Sequence, residues 1–550
     1  MASPLGHLRR RGLLGLGIGL GLGVAGGVFL TLGVTPERSR SWLFWRTALP
    51  VFLDYRWTQL KLELGGDSDS ASADAQYRVL HEKHAPTVLQ LCLDMRGVFV
   101  KVGQVGATRS DIFPSEYRDR LEVLLDRVPG LPASTARATI EATLGQPIDA
   151  VFSAFDDDPI GAASIGQVHY ATIRDSGRRV AVKIHYGPRA MALMRDDLDT
   201  LKRFCELAQP EQVPIMDELK RQFLSEFDLR REAWGLATCR ANTMPYFPGV
   251  VIPSPVMELC TKDVIVMDFL DGTKLVNAVL AEYTTLANAL GLTLKEFTAK
   301  MSAENSGAVG ISKARLATAY VGNTAKRLAR TCTAALWNNT AGWVATSMDY
   351  PRPPINHAKL INTLVKVHGK QILIDGVFSG DPHPGNIILL KNNDIGLIDY
   401  GQIKTLSPAD RRNFAKLVIL LDDGKEKEVV AHVKMMGFET EHNDDYVLFK
   451  TIQVALDCDD KSFTGGKNLQ MFMEEMNKRD KTSKIPEQHV MSIRVCVLLR
   501  GIATLLGHEP IHIAREWREY AERAIQMFPE GAPDDHIAPE PRLMHRGSPV

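Results

Sequence analysis

Two acidic residues and one asparagine are grouped around a predicted hairpin in the C-terminal half of the chain. Asp381 and Asn386 stand five positions apart in the loop sequence DPHPGN, and the apolar run 387–390 has the character of a strand. A turn and a returning strand follow, and Asp399 stands at the end of that strand. We expect these three side chains to converge, and their hard oxygen donors suit Mg²⁺ carrying nucleotide phosphates. An acidic surface hairpin is the alternative for this segment alone.

A lysine on an upstream strand is the second candidate for phosphate chemistry. Lys183 follows an apolar alternation in the strand sequence VAVKI, which is typical of a lysine that binds the α- and β-phosphates. A small-residue segment, 160–169, precedes it and would let backbone N–H groups approach phosphate oxygens. A plain tight hairpin is the alternative there. The candidate nucleotide-binding residues in this segment are Ala162, Ala163, Ser164, Ile165, Gly166 and Gln167.

A buried or half-buried lysine needs a carboxylate partner, and two glutamates are candidates. Glu226 and Glu232 lie on a helix predicted to begin near Ile215. Because they are six positions apart, they differ by about 240° around a helix and cannot both contact Lys183. An apolar strand, 263–269, then leads to an Asp-Gly turn that would join two lobes.

The order of these elements resembles that of a protein kinase. The chain contains, in this order, a small-residue loop, a strand lysine, a helix glutamate, the D-x-x-x-x-N motif and the D-Y-G at residue 399. Further motifs resemble those of the UbiB/aarF-domain atypical kinases. They are K-x-G-Q at Lys101, Gly103 and Gln104, an Ala-rich loop at 161–169, E-x-D at Glu226 and Asp228, and the loop DPHPGN at 381–386.

The resemblance implies an enzyme, a kinase-like phosphotransferase or ATPase that uses ATP and Mg²⁺. By motif position, Lys183 should hold the α/β-phosphates and Glu232 should pair with it. Asn386 and Asp399 should hold Mg²⁺, and Asp381 should take the position of the catalytic base. A covering element, which in this family lies over the active site, should contain Lys101, Gly103, Gln104, Glu226 and Asp228.

The resemblance also implies a role in coenzyme Q biosynthesis or mitochondrial lipid homeostasis. The expected partners are a membrane lipid such as cardiolipin, a quinone or lipid intermediate, and a quinone-biosynthetic protein complex. A low-turnover, nucleotide-gated scaffold is the alternative function. Phosphorylation of proteins is the weaker alternative, because no A-P-E segment follows residue 401 before the next predicted helix.

The predicted fold class is α+β, with a two-lobed protein-kinase-like fold, a β-rich N-lobe and a mainly helical C-lobe. A helical extension with the K-x-G-Q motif and a membrane anchor precede it. The predicted divisions are 1–35 (targeting and transmembrane segment), 36–150 (helical extension), 151–275 (N-lobe), 276–528 (C-lobe with a helical insertion at about 280–365) and 529–550 (disordered tail).

The sequence pattern near the N-terminus predicts a membrane-spanning helix. Residues 12–34 are 23 uncharged residues after an Arg-rich, acid-free start, and as a helix they would be about 34 Å long. Glycines at G-x-x-x-G spacing favour helix pairing in lipid, and hence a dimer. A secretory signal anchor and a cleaved targeting peptide are alternatives. The composition together with the family resemblance favours a single-pass mitochondrial inner-membrane protein, with a plastid membrane as the weaker alternative.

Composition limits the remaining functions. Lys and Arg total 65, as do Asp and Glu, so the net charge of zero gives no case for a nucleic-acid partner. Seven scattered cysteines without a C-x-x-C pair predict neither a disulfide framework nor a zinc site. In the insertion, helices are predicted at 286–300 and 314–343. The second carries Lys326, Arg327 and Arg330, which would contact an anionic membrane or form a solvated face.

Overall fold

The structure is a computed structural model, and it forms two compact units. One unit contains Met1–Pro129 and Gly187–Leu224, and the other contains Gly130–Tyr186 and Ser225–Val550. The structure describes residues 36–65, 71–108, 114–125, 132–162, 166–185, 187–208, 220, 228–305, 313–340, 354–458, 460, 463–465, 469–508 and 510–530. The predicted N-terminal span and all but the first two residues of the predicted C-terminal tail lie outside these ranges.

The regular elements are labelled in chain order. The strands are β1 (Phe152–Phe155), β2 (Gly161–Ala162), β3 (Gly166–Ile173), β4 (Arg179–His185), β5 (Val250–Val251), β6 (Val264–Asp268), β7 (Gly272–Lys274), β8 (Val377–Ser379), β9 (Ile387–Leu390), β10 (Ile395–Leu397), β11 (Ile403–Thr405), β12 (Glu439–Thr440) and β13 (Thr482–Lys484). The helices are α1 (Pro36–Gly65), α2 (Ala71–Met95), α3 (Val98–Thr108), α4 (Ser115–Leu121), α5 (Ala133–Leu144), α6 (Ile148–Val151), α7 (Gly187–Ala208), α8 (Leu229–Thr243), α9 (Leu275–Leu290), α10 (Leu294–Asn305), α11 (Lys313–Thr340), α12 (His357–Lys370), α13 (Pro408–Asp422), α14 (Glu426–Met435), α15 (Asp445–Leu456), α16 (Leu469–Arg479), α17 (Glu487–Leu505) and α18 (Ile513–Met527).

The first unit is helical, and α1, α2, α3, α4 and α7 pack together in it. Arg40 on α1 donates to Asp197 on α7, with Nη2 2.6 Å from Oδ2. Phe44 on α1 contacts Phe99 on α3 and Phe204 on α7 through their rings. These contacts join α7 to the N-terminal helices although the strands of the second unit precede it in the chain.

An antiparallel sheet forms the N-lobe of the second unit. The strand order is β1-β3-β4-β6, with β2 also paired to β3. Since side chains alternate along a strand, Val180, Val182 and Ile184 face one side of β4 and pack with Ala136 and Ile140 of α5. Ala181 and Lys183 therefore face the other side, towards α8. The pleat of β4 thus determines where its single lysine points.

The predicted hairpin is present, and it belongs to a second sheet. Strands β9 and β10 pair in antiparallel fashion, with Ile387 opposite Leu397. The sheet order is β5-β10-β9-β7, and a separate pair joins β11 to β8. Asn393 in the turn has a φ of 66°, a left-handed conformation that Asn tolerates better than most residues. The hairpin is therefore held at both edges.

Helices make up most of the C-lobe, around a core that includes the fully buried Trp517 of α18. Among the residues that the structure describes, α17 is long and apolar enough to cross a membrane by length and composition. Its residues Val495, Cys496 and Leu499 are buried in the C-lobe core.

Two predicted helices are wrong in their extent. The helix predicted at 286–300 is divided, because Gly291 takes a left-handed conformation at the end of α9 and α10 begins at Leu294. The helix predicted from near Ile215 does not run through to Glu232, because Asp228 is extended and α8 begins after it. Gly291 ends α9 and Asp228 begins α8, and hydrophobic periodicity alone reveals neither boundary.

Candidate active site

Lys183 lies between two carboxylates. Its Nζ is 2.7 Å from Oε1 and 2.9 Å from Oε2 of Glu232, and 3.7 Å from Oδ2 of Asp399. Val168 on β3 is its direct cross-strand neighbour on the same face. The lysine and aspartate side chains are partly exposed whereas Glu232 is 3% exposed, so the glutamate is on the buried side of the ammonium. The ammonium is thus held on an open side of the sheet.

The start of α8 determines the position of Glu232. Asp228 is the N-cap, and its Oδ1 accepts a hydrogen bond from the Arg230 backbone N–H. The Arg230 guanidinium binds the same carboxylate, which helps to hold the pKa of Asp228 below its usual value although burial opposes this. Glu232 lies in the first turn of the helix. Of the two glutamates considered from the sequence, Glu232 is the one that contacts Lys183, and Glu226 lies outside the described residues.

The loop before the hairpin brings Asp381 and Asn386 together. The backbone carbonyl of Asp381 accepts from the N–H of His383 at 2.7 Å and from the side-chain amide of Asn386 at 3.3 Å. Pro384–Asn386 form a short 3-10 turn. The carbonyl of Asn386 accepts from the N–H of Ile398 at 3.2 Å, directly before Asp399. This bond ties the loop to the end of β10.

Asp399 is fixed by its own turn. Its Oδ1 accepts from the backbone N–H of Gly401 at 2.8 Å, whereas Oδ2 is the oxygen closer to Lys183. Tyr400 turns the other way and is 1% exposed, and burial raises the pKa of its phenol well above the ordinary value. The aromatic side chain therefore packs in the core while the adjacent carboxylate stays accessible.

Arg494 is a site residue that sequence reasoning missed. Its Nη2 donates to Oδ1 of Asp381 at 2.9 Å, with side-chain exposures of 39% and 22%. It lies on α17, 113 positions away along the chain. No local pattern connects the two residues, because α17 carries a second arginine, Arg500, and its sequence does not indicate which of the two reaches Asp381.

The predicted phosphate-binding loop is only partly described. Ala162 ends β2, Gly166 begins β3, and residues 163–165 between them lie outside the described residues. A Cβ on Gly166 would meet the carbonyl oxygen of Ile184 at 2.3 Å, so glycine permits this close approach of two strands. The Gln167 side chain is buried and its Nε2 is 2.8 Å from Nε2 of His169. Its role towards a nucleotide stays a prediction.

The K-x-G-Q residues have clear packing roles within the first unit. A Cβ on Gly103 would meet a side-chain carbon of Leu124 at 2.5 Å, so α3 packs closely against the following turn. The Gln104 side chain donates to the carbonyl of Leu124 at 2.9 Å. Lys101 is partly exposed on the same helix. The proposed covering role of these residues and of Asp228 stays a prediction.

One group of metal-ligand types lies away from this site. Ligand atoms of Cys458, Asp460 and His512 lie within 4.8 Å of one another, among the residues that the structure describes. The cysteine spacing did not indicate it, because the three residues come from two distant segments. All seven cysteines are free thiols.

Comparison with known proteins agrees with this arrangement. The family model described as the ABC1 atypical kinase-like domain matches residues 123–306 and 344–433. The chain is 24% identical over 486 residues to AarF domain-containing protein kinase 1 of Xenopus laevis, covering 84% of this chain and 77% of that protein. The corresponding mouse protein is 25% identical over 454 residues, which are 78% of this chain and 71% of that protein.

A plant protein is similar over a shorter share of its length. Protein ACTIVITY OF BC1 COMPLEX KINASE 1, chloroplastic, of Arabidopsis thaliana is 26% identical over 418 residues. The match covers 74% of this chain and 51% of the plant protein, so the chain spans about half the length of that relative. The predicted α+β kinase-like fold is confirmed by the family match. The chain belongs to the ABC1 atypical kinase-like family, as the order of its motifs predicted.

Proposed function

We propose that this protein is a membrane-associated, Mg²⁺-dependent nucleotide-binding enzyme that acts as an atypical kinase or ATPase. The observation that supports it best is Lys183 between Glu232 and Asp399, with Nζ 2.7 Å and 3.7 Å from their oxygens. A buried glutamate orients the ammonium, and the ammonium remains accessible to an anion from the other side. Such a lysine is suited to the α/β-phosphates of a nucleotide.

The remaining side chains fit a magnesium-bound nucleotide. Asp399 and Asn386 offer a carboxylate and an amide oxygen, which are hard donors of the kind Mg²⁺ takes, and these two residues would hold the ion. When bound, Mg²⁺ would neutralise charge on the phosphate oxygens.

Asp381 is proposed to accept the proton of the attacking hydroxyl or water. Arg494 binds only its Oδ1, so Oδ2 is the oxygen available to the acceptor. The ion pair fixes the orientation of the carboxylate. Positioning of this kind supplies a large share of catalysis in phosphoryl transfer.

The proposed process is coenzyme Q biosynthesis or lipid homeostasis at the mitochondrial inner membrane. This rests on the motif resemblance and on the N-terminal apolar segment, with a lipid such as cardiolipin and a quinone or lipid intermediate as the partners. A relative whose name includes the word chloroplastic supports the plastid membrane as the second location.

A low-turnover, nucleotide-gated scaffold is the second candidate. The observation that favours it is the Arg494 ion pair, because the guanidinium already occupies Oδ1 of Asp381, one of the two oxygens that could contact an acceptor. In this case the protein would bind nucleotide and a membrane or a biosynthetic complex, and would hydrolyse little.

The decisive measurement is Mg²⁺-dependent ATP hydrolysis by the full chain in vesicles with and without cardiolipin, and with a quinone-like phenol. Asp399→Asn is the test variant. Asp271→Asn is the matched control, because Asp271 is an exposed aspartate that pairs with Lys391. Lipid-stimulated hydrolysis that is lost in the test variant alone supports the enzyme. If no condition gives turnover while ATP still raises the melting temperature, the scaffold is the better account.

A further inference from the structure

Helices α9 and α11 border an open cavity of about 660 Å³ in the second unit. The part of its wall that α11 contributes includes Asn323, Lys326, Arg327 and Arg330. These four positions fall within about 100° of one another around the helix, so they form one face. The volume lies in the ordinary range of small-molecule sites, about 300–1,000 Å³. A basic face of α11 thus borders a space large enough for an organic ligand.

The charges around this cavity are not balanced. Among the described residues of the wall, Glu282 on α9 is the acidic one, and it is 3% exposed. The Arg327 guanidinium compensates it, with Nη2 3.6 Å from Oε2, and Nε2 of His357 is 3.9 Å from Oε1. Neither Lys326 nor Arg330 forms an ion pair with a residue that the structure describes. Two positive charges of the wall therefore have no counter-charge within the described part of the chain.

The rest of the wall combines hydrogen-bond donors with small apolar groups. The amides of Asn277 on α9 and Asn323 on α11 border the same cavity and are suited to phosphate oxygens. Ala281 and Ala329 also line it, so the side chains at these two positions leave space between the helices. This wall suits an anion that carries an organic group.

We propose that the cavity binds an organic phosphate monoester, with Lys326 and Arg330 on its phosphate. A phosphate monoester carries a charge of about −1.5 to −2 at neutral pH, which matches the two uncompensated cations. Guanidinium and ammonium groups both bind phosphate well. A soluble phosphate ester and a lipid with a monoester head group present the same chemistry. The site goes beyond the proposed function, because none of the candidate catalytic residues lines it.

Helix α9 connects this cavity to the candidate active site. The helix follows β7, and it packs against the turn Pro384–Asn386 and against β9. A ligand that contacts both α9 and α11 would therefore stabilise a helix on which the Asn386 turn rests. Occupancy of the cavity is expected to reach the active site through this packing.

The test measures amide hydrogen exchange in 275–290 and 323–330 of the full chain in phosphatidylcholine vesicles. A ligand that binds both helices slows their exchange, and the ligand concentration at half effect gives its affinity. One arm adds glycerol 3-phosphate. Two further arms use vesicles that contain phosphatidic acid, which is a monoester, or phosphatidylglycerol, which is a diester with one negative charge. A nonhydrolysable ATP analogue with Mg²⁺ is present in every sample, so that the probes do not compete for a nucleotide site.

Two variants separate a built site from general attraction of anions. Lys326→Gln with Arg330→Gln should weaken monoester binding at least about tenfold, because two charge-assisted contacts are lost. Ala281→Trp fills the cavity, keeps both cations and should abolish protection. Lys295→Gln with Lys300→Gln on α10 removes the same charge from exposed positions, and should change the affinity less than about twofold.

The arms also identify the source of the ligand. Protection by glycerol 3-phosphate supports the site with a soluble ligand, and protection by phosphatidic acid alone supports it with a lipid head group. No protection by either monoester would overturn the proposal. Equal protection by phosphatidylglycerol, protection that survives Ala281→Trp, or an equal loss in the α10 control would reduce the effect to general attraction and would also overturn it. ATP hydrolysis, measured in separate samples, tests the proposed function independently.

Discussion

Removal of the ammonium of Lys183 should destabilise the protein more than removal of the charge of Glu232. In the structure Glu232 is 3% exposed, whereas the lysine side chain is 19% exposed and has Asp399 3.7 Å away. Lys183→Met takes the cation away from a buried carboxylate. Glu232→Gln leaves the lysine with a second carboxylate and with access to water.

These differences in burial and remaining partners determine how much stability each substitution should cost. Loss of one partner of a buried ion pair costs about 3–5 kcal/mol, so Lys183→Met should fall in that range. Glu232→Gln keeps the shape and some hydrogen bonding, and should cost about 1–2 kcal/mol. The double variant should be more stable than the sum of the two losses predicts, with a coupling energy of about 2 kcal/mol.

Hydrogen exchange followed by mass spectrometry is the suitable assay, because the chain has two compact units and a single unfolding free energy is poorly defined. The opening free energies of 179–185 and 229–243 should fall more in Lys183→Met than in Glu232→Gln. Lys183→Arg keeps the positive charge and is the control, so its opening free energies should change least. Equal losses for the two single variants, or strictly additive losses in the double variant, would refute the reasoning from burial.

Three further predictions concern other groups. Asp228→Ala should lower stability by about 1 kcal/mol through loss of the helix cap, while Asp228→Asn retains most of it, as measured by exchange in 229–243. Arg494→Ala should lower ATP turnover about 10²-fold through misplacement of Asp381 and leave nucleotide affinity nearly unchanged, while Arg494→Lys recovers part of the rate; a change in affinity alone would contradict the positioning role. Burial lowers the pKa of His368 to about 4. Below about pH 6.5 the unfolded chain therefore binds a proton that the folded chain does not, and the free energy of unfolding falls by about 3 kcal/mol as the pH decreases from about 6.5 to 4. His368→Leu should flatten that part of the stability curve, and an unchanged slope would exclude this histidine as the cause.

Local sequence patterns were sufficient for the parts of the site that lie close together in the chain. The strand of Lys183, the hairpin after Asn386 and the position of Asp399 at its end follow from alternation and turn residues within about 20 positions. Periodicity did not locate the start of α8, because its N-cap Asp228 is a side-chain signal that apolar spacing does not contain. Arg494 could not be found in this way, since its bond to Asp381 spans 113 positions and depends on how two lobe elements pack.

The position of Glu232 within the first turn of α8 has a consequence for regulation. Helix ends fray more readily than helix centres, and such local opening requires far less free energy than unfolding of the domain. Fraying of this one turn would withdraw Glu232 from Lys183 while strand β4 stays paired to both of its neighbours. A carboxylate there also favours the helix through the positive end of its dipole, so the ion pair and the turn stabilise each other. Unfolding of this single helical turn would therefore be enough to separate Glu232 from Lys183, without rotation of one lobe against the other.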